Sequence, residues 1–571
     1  MKPIKSATAV ILAALLFASC SNSDSPTASA PAPHLEKRGE VTQLIVQGEP
    51  FLALAGELKN SSSSSREYMS SRWETVKQLG LNTVIAPLSW EQIEPREGEF
   101  DFHTVDDLIE DARANDLKLV FLWLASWKNG ISSYEPAWVK SDTERFQLAR
   151  TPDGYTLPII TTQCMAACEA DAKAFAATMA HIRDIDAAQQ TVIMMQMENE
   201  VGLHGHTRDW HPAAVEAFEG PVPAELTAYL AEHFDSLLPE TAAAWSAQGK
   251  PMEGSWTEVF GKGDYADELF MAWSYASYMD KVSAAGKAEY DLPVYTNAWI
   301  VQPEDKHPGN YPSGGPQAQN HDIWRAAAPH IDILSPDIYL DDYPAILRMY
   351  ARGGNPVFVP EARFGQEGAA NAAFTFGEMG GIGYSPFGID TFGEVRGHEL
   401  FADFYKTVGS YAPILLKAQA EGRVSGVWVK GSNPFIPKEE RTMGDVKVCC
   451  ELISSGFRNG GAPQFTGGEY KPGDIGYAII IRNEDDSFLV LGSNIRIVFR
   501  PSEGDDIMGL AKVTEGTFED GEWVEGRWLN GDEIQLRYDL LYAVQERLSG
   551  QGLNFNGPQP QFMKAELFRY R

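Results

Sequence analysis

The stretch of sequence that decides the fold is residues 104–123, TVDDLIEDARANDLKLVFLW. In its first half, Val105, Leu108 and Ala112 recur at the spacing of one helix face. Its second half, 117–123, is almost continuously apolar, which is typical of a parallel strand that is buried on both faces. This stretch therefore predicts one helix–strand unit of an α/β protein.

The helix–strand alternation repeats along most of the chain. Helical patterns also cover residues 72–79 and 171–185, and an apolar run follows each of them. The eight apolar runs that we predict to be parallel strands are 51–55, 82–88, 117–123, 191–196, 292–297, 331–335, 356–360 and 380–385. Eight strands with helical segments between most of them predict a (β/α)8 TIM barrel, whose catalytic side chains come from the C-terminal ends of the strands.

The pattern changes towards the end of the chain. Short apolar runs at 476–482, 488–491 and 495–499 are separated by Gly, Asp and Asn, which is typical of antiparallel strands joined by turns. We therefore predict a catalytic barrel over residues 41–420 and a C-terminal all-β sandwich domain over residues 421–571.

The N-terminus has the features of an export signal. Lys2 and Lys5 precede an apolar run at 7–18, which is too short to span a bilayer but suits the core of a signal peptide. We predict a signal peptide over residues 1–19 and export from the cytoplasm.

The residues that follow suggest how the exported protein is held. Residues 17–20, FASC, resemble a bacterial lipobox, in which Cys20 becomes the lipidated first residue of the mature protein. Lipidation predicts a membrane anchor on the outer-membrane or periplasmic side, followed by a flexible Ser-, Pro- and Ala-rich tether over residues 20–40. The alternative is an ordinary secretory signal with an incidental Cys20.

Charge and cysteine content exclude several classes of protein. The 571 residues carry 47 Lys and Arg against 79 Asp and Glu, a formal net charge of −32, without a basic run. Nucleic-acid binders need a basic stripe that neutralises phosphates, so we exclude nucleic acid as the main partner. Five cysteines are present; Cys164 and Cys168 are close enough in sequence to pair, but metal-ligand spacing is missing. The fold therefore depends on its hydrophobic core.

Two carboxylate residues follow predicted strands. Glu200 stands in residues 196–202, QMENEVG, after the fourth strand, and Glu361 in residues 357–363, VFVPEAR, after the seventh. Glycoside hydrolysis needs such a pair, because one carboxyl group protonates the leaving oxygen while the other attacks the anomeric carbon. The plainer alternatives are a helix cap at Glu200 and an ion pair between Glu361 and Arg363.

The segment 196–202 resembles the catalytic motif of glycoside hydrolase family 35, the β-galactosidases. The resemblance implies that Glu200 is the general acid/base, that Glu361 is the nucleophile, and that Asn199 hydrogen-bonds the sugar 2-hydroxyl. Tyr339, in the segment SPDIY at the sixth strand, resembles the tyrosine that hydrogen-bonds the nucleophile throughout the clan. An ordinary half-buried tyrosine is the alternative there.

Other segments resemble a bacterial branch of that family, whose members include a lipid-anchored enzyme acting on xyloglucan. These segments are 56–61 (GELKNS), 90–102 (WEQIEPREGEFDF), 123–129 (WLASWKN) and 384–390 (YSPFGID). From them we place four residues in the substrate-binding set: Glu57, Trp90, Trp127 and Asn129. For the two indoles, stacking on a sugar face and plain packing in the barrel are both open.

One departure from the family concerns the sugar. The Cys-Ala-Glu-Trp segment with which many members read galactose is absent, and residues 123–129 stand in its place. We predict a retaining exo-β-galactosidase that removes terminal β-linked galactose from plant-polysaccharide oligosaccharides, such as xyloglucan, without a metal or other cofactor. The alternatives are another β-glycosidase of the same clan and a non-catalytic, glycan-binding surface lipoprotein.

Three remaining features receive structural interpretations. His204, His206 and His211 have chelating spacing, but retaining hydrolysis needs no metal, so loop or substrate contacts are favoured. The Pro- and Gly-rich loop 301–322 is predicted to wall the substrate cleft. Glu198 lies inside the fourth strand and is predicted to be structural.

Overall fold

The computed structural model describes residues 30–391, 398–431, 438–453, 475–519, 521–531, 533–536 and 550–571. The predicted signal peptide over 1–19 and the predicted lipidation site Cys20 lie outside the described residues. Among the helices of the described ranges, none combines the length and the apolar composition that crossing a membrane requires.

The strands and helices are numbered in chain order. The strands are β1 His34–Arg38, β2 Val41–Val46, β3 Glu49–Phe51, β4 Ala53–Glu57, β5 Thr83–Ser89, β6 Lys118–Lys128, β7 Leu148–Arg150, β8 Thr156–Ile160, β9 Val192–Asn199, β10 Val294–Trp299, β11 Ile333–Asp337, β12 Phe358–Ala362, β13 Gly383–Pro386, β14 Val424–Lys430, β15 Lys438–Met443, β16 Val446–Leu452, β17 Ile475–Arg482, β18 Phe488–Ser493, β19 Ile495–Pro501, β20 Ile507–Glu519, β21 Glu522–Trp528, β22 Gln535–Leu536, β23 Gly550–Gln551, β24 Leu553–Phe555 and β25 Gln561–Tyr570. The α-helices are α1 Arg66–Ser70, α2 Trp73–Gln78, α3 Trp90–Ile93, α4 His103–Ala114, α5 Ala137–Lys140, α6 Met165–Asp186, α7 Pro212–Glu219, α8 Ala224–Glu232, α9 Pro239–Ala247, α10 Trp256–Phe260, α11 Asp264–Glu289, α12 His321–Ala327, α13 Tyr343–Tyr350, α14 Gly365–Gly377, α15 His398–Gly409 and α16 Ala412–Ala420. Short 3-10 turns lie at Ser62–Ser64, Phe234–Ser236, Ala318–Asn320, Arg352–Gly354 and Ile389–Thr391.

A parallel barrel forms the larger part of the molecule. Its strand order is β11-β10-β9-β6-β5-β4-β13-β12, and all neighbouring pairs are parallel. β12 closes the ring against the end of β11, where the Ile338 N–H donates to the Glu361 carbonyl oxygen at 3.0 Å. Each of the eight predicted strands overlaps one of these barrel strands. The TIM barrel predicted from the sequence is confirmed.

Buried apolar side chains fill the interior of the barrel at its N-terminal end. Tyr295, Ile333 and Phe358 belong to one buried cluster with smaller side chains of the other strands. Leu44 and Val46 of β2 are part of the same cluster, so the antiparallel sheet β1–β3 covers this end of the barrel. The polar side chains of the barrel are left to gather at the opposite, C-terminal end.

The tether predicted over residues 20–40 is wrong at its C-terminal end. His34–Arg38 forms β1 and pairs antiparallel with β2 along its whole length. The Ser-, Pro- and Ala-rich composition stops at Pro33, and Leu35 packs, partly buried, against the cluster inside the barrel. An apolar side chain with a surface to cover gives this segment a reason to be ordered.

Helices surround the barrel, and they follow the predicted apolar faces. α4 buries Val105, Leu108 and Ala112, as the opening stretch predicts. α6 packs against the long helix α11 so closely that a Cβ at Gly286 would lie 2.2 Å from the Phe175 ring. A glycine at this crossing therefore allows the two helices to approach.

The C-terminal region is a two-sheet sandwich, as predicted. One sheet has the order β14-β17-β18-β25-β20-β21 and the other β15-β16-β19-β24, with antiparallel neighbours throughout. Val448, Ile480 and Phe555 lie in the shared core between the sheets. The other face of β17 packs against α14 and α16 through Ile479 and Ile481, which belong to the main core of the barrel. The predicted boundary at 420/421 lies between α16 and β14.

The cysteines of the described residues are free thiols. Cys164 and Cys168 are buried without a disulfide between them, and so are the adjacent Cys449 and Cys450. Cys164 precedes α6, and its Sγ accepts from the Gln147 N–H at 3.3 Å. The thiols therefore serve as small buried side chains in this fold.

Candidate active site

The predicted catalytic residues meet at the C-terminal end of the barrel. Asn199 is the last residue of β9, and Glu200 follows it directly. Glu361 lies in β12, which is separated from β9 by β10 and β11, and Glu57 is the last residue of β4. Because the strands are parallel, their carboxyl ends share one rim, which brings residues far apart in sequence together.

Glu198 determines how the chain leaves β9. Its carboxylate accepts the backbone N–H groups of Ala125, Ser126 and Trp127 at 3.1, 2.8 and 3.1 Å. Glu198 and Glu200 both have positive φ, of 54° and 48°, a conformation that non-glycine residues rarely adopt. Anchoring Glu198 to β6 holds this irregular strand end, and the structural role predicted for Glu198 is confirmed.

Glu200 is almost fully buried, at 8% exposed. Its backbone N–H donates to the Asn297 Oδ1 at 2.9 Å, which fixes the residue against β10. Burial, followed by the nearby charge of Glu361, raises the pKa of Glu200 to about 7. A carboxyl group with this pKa holds its proton near neutral pH, as a general acid must. The helix-cap alternative does not fit, because the next helix after Glu200, α7, begins at Pro212 and has His211 as its N-cap.

The surroundings of Glu361 suit the nucleophile role that we predict for it. The Tyr339 hydroxyl donates to its Oε2 at 2.9 Å, as the resemblance implies. Burial raises the pKa of Glu361, while the Lys128 ammonium and the Tyr339 hydroxyl oppose that rise and favour the ionised form. The ion-pair alternative is wrong, because Arg363 pairs with Asp341 and Glu367 instead.

Lys128 is a candidate functional residue that the sequence interpretation missed. It is the last residue of β6, and its Nζ lies 2.7 Å from the side-chain amide of Asn199. With the amide oxygen facing Lys128, the amide nitrogen donates to Glu361 Oε1 at 3.2 Å, so both charged neighbours are satisfied. Lys128 stands inside the quoted segment 123–129, and its position at a strand end facing carboxylates was the available signal.

Glu57 is a buried carboxyl group that faces the same site. It is fully buried, and neither carboxyl oxygen has a hydrogen-bond partner among the described residues. Burial, and then the charge of Glu361, raises the pKa of Glu57 well above its usual range, while Lys128 opposes the rise. Such a group suits hydrogen bonding to substrate hydroxyls, the role that we predict for it.

Asn129 adjoins the same rim. It has a positive φ of 50°, and its backbone N–H donates to the Asn199 carbonyl oxygen at 3.0 Å. The side-chain amides of Asn129 and Asn199 also lie 3.0 Å apart. Asn129 is therefore next to the predicted 2-hydroxyl ligand.

The two predicted indole platforms are core residues. Trp90 and Trp127 are fully buried. The Trp90 Nε1 donates to Glu94 at 2.9 Å, and the Trp127 Nε1 donates to the Ile160 carbonyl oxygen at 3.0 Å. The prediction that they bind substrate is wrong for this structure, and the packing alternative holds, because the polar end of each ring is already satisfied inside the fold.

The loop 301–322 lies beside the catalytic residues. Its Ser313 exchanges backbone hydrogen bonds with Leu203, at 2.9 and 3.0 Å, in the segment that follows Glu200. The His204 ring packs against Trp299, at 5.2 Å between centroids, and His211 caps α7. These bonds hold the loop beside the segment that follows Glu200, and the two histidines have partners within the fold.

Comparison with known proteins gives two family matches. Residues 60–341 match the model of glycoside hydrolase family 42, described as beta-galactosidase. Residues 401–540 match the model of a domain of unknown function. The first match covers the barrel from α1 to the end of β11, and therefore includes Asn199, Glu200 and Tyr339.

Similar proteins are known by sequence and by structure. A beta-galactosidase of Xanthomonas manihotis is 31% identical over 105 residues, which are 17% of this chain and 17% of that protein. A beta-galactosidase structure from Bacillus circulans sp. alkalophilus has a TM-score of 0.43 at 14% identity, covering 64% of this chain and 57% of the other. The catalytic domain of a beta-amylase from Paenibacillus polymyxa has a TM-score of 0.41 at 12% identity, covering 60% and 94%.

The site and the sequence comparisons agree on the class of reaction. Glu200 and Glu361 form a carboxyl pair of the kind that glycoside hydrolysis uses, and residues 60–341, which include Glu200 but not Glu361, match a beta-galactosidase family model. Residues 60–341 of this chain are therefore similar to the β-galactosidases, while the chain as a whole spans 17% of the Xanthomonas manihotis relative and 57% of the Bacillus circulans one.

Proposed function

We propose that this protein is a retaining exo-β-galactosidase that works by double displacement. The observation that carries the proposal is the arrangement around Glu361. Tyr339 and Asn199 each donate a hydrogen bond to one of its carboxylate oxygens, while Glu200 stands close enough for the charge of Glu361 to raise its pKa. One carboxylate is held for attack, and the other carboxyl group keeps its proton.

In the first step, a Glu361 carboxylate oxygen attacks the anomeric carbon and forms a glycosyl ester. The bond to the leaving oxygen breaks as Glu200 gives that oxygen its proton, so the aglycone departs as a neutral alcohol. Glu200 is left as a carboxylate. Asn199 lies beside the nucleophile, where its amide can hydrogen-bond the sugar 2-hydroxyl as the transition state forms.

In the second step, Glu200 acts as the base. It takes a proton from a water molecule as that water attacks the anomeric carbon, and the ester bond to Glu361 breaks. Two inversions at the same carbon restore the original configuration. Glu361 returns as a carboxylate and Glu200 as an acid, so the site is ready for another turnover.

We propose that the enzyme is specific for galactose. It is supported by the beta-galactosidase description of the matched family model and of the Xanthomonas manihotis relative. Glu57 as a hydrogen-bond acceptor and Lys128 as a donor offer both kinds of partner to sugar hydroxyls. The assignment to family 35, rather than to the matched family 42, is supported by the motif at 196–202. Another β-glycosidase of the same clan remains the alternative.

The natural substrate and the location are also proposed here. The resemblance to a lipid-anchored, xyloglucan-acting branch supports galactosylated oligosaccharides of plant polysaccharides as substrates. The signal-peptide pattern over 1–19 and the lipobox-like segment ending at Cys20 support export and a lipid anchor on the outer-membrane or periplasmic side.

A panel of 4-nitrophenyl glycosides tests the function. Purified protein lacking residues 1–20 is offered the β-galactoside, β-glucoside, β-xyloside, β-mannoside and α-arabinoside. We expect a clear preference for the β-galactoside, and proton NMR of the first-formed product should give the β-anomer. A preference for another sugar would show that the enzyme is not specific for galactose. An α-anomer as the first product would exclude double displacement. Absence of hydrolysis of every glycoside in the panel would exclude the proposed function.

A further inference from the structure

Two aromatic rings beside the catalytic residues have no part in the mechanism above. Trp299 is the last residue of β10, and His204 follows Glu200 by four residues. The centroids of the two rings lie 5.2 Å apart, and the ring planes meet at 71°. Both side chains are half-buried, so part of each ring is accessible to a ligand.

The strand register turns the Trp299 side chain towards the mouth of the barrel. Along β10, Tyr295 lies in the cluster inside the barrel. Two residues on, the Asn297 amide donates to Asp337 and accepts the Glu200 backbone N–H. Because side chains alternate between the two faces of a strand, Trp299 lies on the same face as Asn297. It also pairs in register with Asp337 of β11, so it borders the site above that residue.

The position of His204 is fixed by its neighbours. The Gly205 N–H donates to the Gly309 carbonyl oxygen at 2.7 Å, which ties this segment to the loop 301–322. On the other side, a Cβ at Gly130 would lie only 2.6 Å from the His204 Cδ2, so the imidazole packs on the turn after β6. A ring that is already held in place loses little conformational entropy when a ligand binds.

The nitrogen atoms of the two rings have no hydrogen-bond partner among the described residues. In this respect Trp299 differs from Trp90 and Trp127, whose Nε1 groups are satisfied inside the fold. Burial lowers the pKa of His204, so its imidazole is neutral at pH 7 and offers one donor and one acceptor. Aromatic surface next to free polar atoms suits a ligand that has both apolar faces and hydroxyl groups.

The two rings lie on the side of the site from which the leaving group departs. Around the barrel, β10 and β11 form one arc between Glu200 and Glu361, whereas β6, which carries Lys128, lies on the other arc. The nucleophile must face the anomeric carbon, and the acid must face the leaving oxygen. Because Trp299 and His204 adjoin the acid, the part of the substrate closest to them is the aglycone.

We propose that Trp299 and His204 form a subsite for the pyranose ring to which the terminal galactose is attached. The Trp299 ring packs against the apolar C–H face of that sugar, and the free nitrogens of both rings hydrogen-bond its hydroxyl groups. Since the two planes meet at 71°, one ring can lie along the face of the sugar while the other reaches its edge. The inference rests on the proposed function, because the acid role of Glu200 defines the leaving side.

Two galactosides that differ in their leaving group test the subsite. β-Galactosyl fluoride has no sugar to place there, whereas a galactosylated xyloglucan oligosaccharide does. In Trp299→Ala and His204→Ala, we expect the loss of kcat/KM for the oligosaccharide to exceed the loss for the fluoride by about 30-fold and about tenfold, respectively. Equal losses on both substrates, or no loss on either, would overturn the inference.

His181→Ala is the matched control for His204→Ala. His181 is also half-buried against an aromatic ring, with its centroid 4.3 Å from that of Phe102, but it lies on the outer helix α6. H181A should leave the ratio of the two kcat/KM values unchanged. Thermal unfolding checks that each variant folds. If W299A does not fold, H204A and Trp299→Phe carry the test, with a smaller loss expected for W299F because it keeps an aromatic face.

Calorimetry with a galactose-free xyloglucan oligosaccharide separates this inference from the proposed function. That ligand can occupy only the aglycone side, and its binding needs no turnover. We expect the wild type and H181A to bind it, and W299A and H204A to bind at least about tenfold more weakly. Absence of binding to the wild type, or equal binding to all four proteins, would overturn the subsite even if galactosides are hydrolysed. Binding as expected without hydrolysis of any glycoside would overturn the proposed function alone.

Discussion

At the scale of single residues, environment separates the roles of two identical carboxyl groups. Glu361 accepts hydrogen bonds from Tyr339 and Asn199, and the Lys128 ammonium favours its ionised form. Burial together with Glu361 raises the pKa of Glu200 to about 7, and Lys128 opposes only part of that rise. In the double displacement that we propose, this difference would set the direction of proton transfer in each half-reaction.

Replacement of the nucleophile tests its role most directly. Glu361→Ala should lower kcat by about 10⁴-fold, because no other group can form the glycosyl ester. Sodium azide should restore turnover of activated aryl glycosides and give an inverted product. Glu367→Gln, a nearby change at a residue that pairs with Arg363, serves as the control and should keep activity. An active E361A protein would remove Glu361 from the mechanism.

Replacement of the acid separates substrates by their leaving group. Glu200→Gln should lower kcat/KM by about 10³-fold for oligosaccharides, whose alkoxide leaving groups need a proton. The loss should be far smaller for 4-nitrophenyl glycosides in the first step, since 4-nitrophenolate leaves without one. Equal losses on both substrates, measured side by side, would argue against the acid role.

The pH profile follows from the same two groups. The reaction needs Glu200 protonated and Glu361 ionised, so kcat/KM should form a bell. As the pH rises through about 7, Glu200 loses its proton and the alkaline limb falls. On the acid side the limb falls as Glu361 becomes protonated. In Glu200→Gln the alkaline limb should disappear, and a limb that persists unchanged would assign it to another group.

At the scale of elements, the end of β9 is held by β6. The Glu198 carboxylate accepts three successive backbone N–H groups of β6, where the register between the two strands shifts. The irregular backbone that follows turns Asn199 and Glu200 towards the other strand ends. A buried side chain thus takes the place of the ladder hydrogen bonds that the shift removes.

Removal of that anchor should cost both stability and activity. Glu198→Ala leaves three buried N–H groups without an acceptor, and we expect a loss of about 3 kcal/mol in the free energy of unfolding. Glu198→Gln retains one acceptor oxygen and should lose less. Urea unfolding measures the difference, and an E198A protein as stable as the wild type would show that the anchor is dispensable.

At the scale of the whole molecule, the barrel and the sandwich share a core. Successive residues of β17 alternate between the two: Ile479 and Ile481 pack with the barrel cluster, while Ile480 packs inside the sandwich. The Trp428 Nε1 donates to Asn371 of α14 at 2.9 Å across the same contact. One strand therefore contributes to both hydrophobic cores.

This arrangement predicts a single cooperative unfolding transition. Ile481→Ala should cost about 2–4 kcal/mol and, by weakening the shared core, should separate the transition into two. Ile480→Ala is the matched control, since it removes the same atoms from the sandwich side of the same strand. Calorimetry distinguishes the cases, and two transitions in the wild type would contradict the coupling.

The sequence by itself determined the elements and the paired carboxylates. Apolar runs at 82–88 and 191–196 predicted buried strands, because a strand that is covered on both faces has no solvent-exposed face for polar side chains. The motif at 196–202 likewise marked Glu200 through its resemblance to a known family, before any geometry was known. Such signals depend only on residues that are close together in the sequence, so they can be recognised without the structure.

Only the tertiary structure decided which side chains the strand ends bring together. Trp90 and Trp127 lie near strand ends in sequence, yet their rings are buried in the core, where Glu94 at the end of α3 and the Ile160 carbonyl of β8 accept their N–H groups. Lys128 gained its importance from Asn199 and Glu361, both more than 60 positions away in the chain. A pKa and a hydrogen-bond partner depend on distances through space, and those exist only once the barrel has closed.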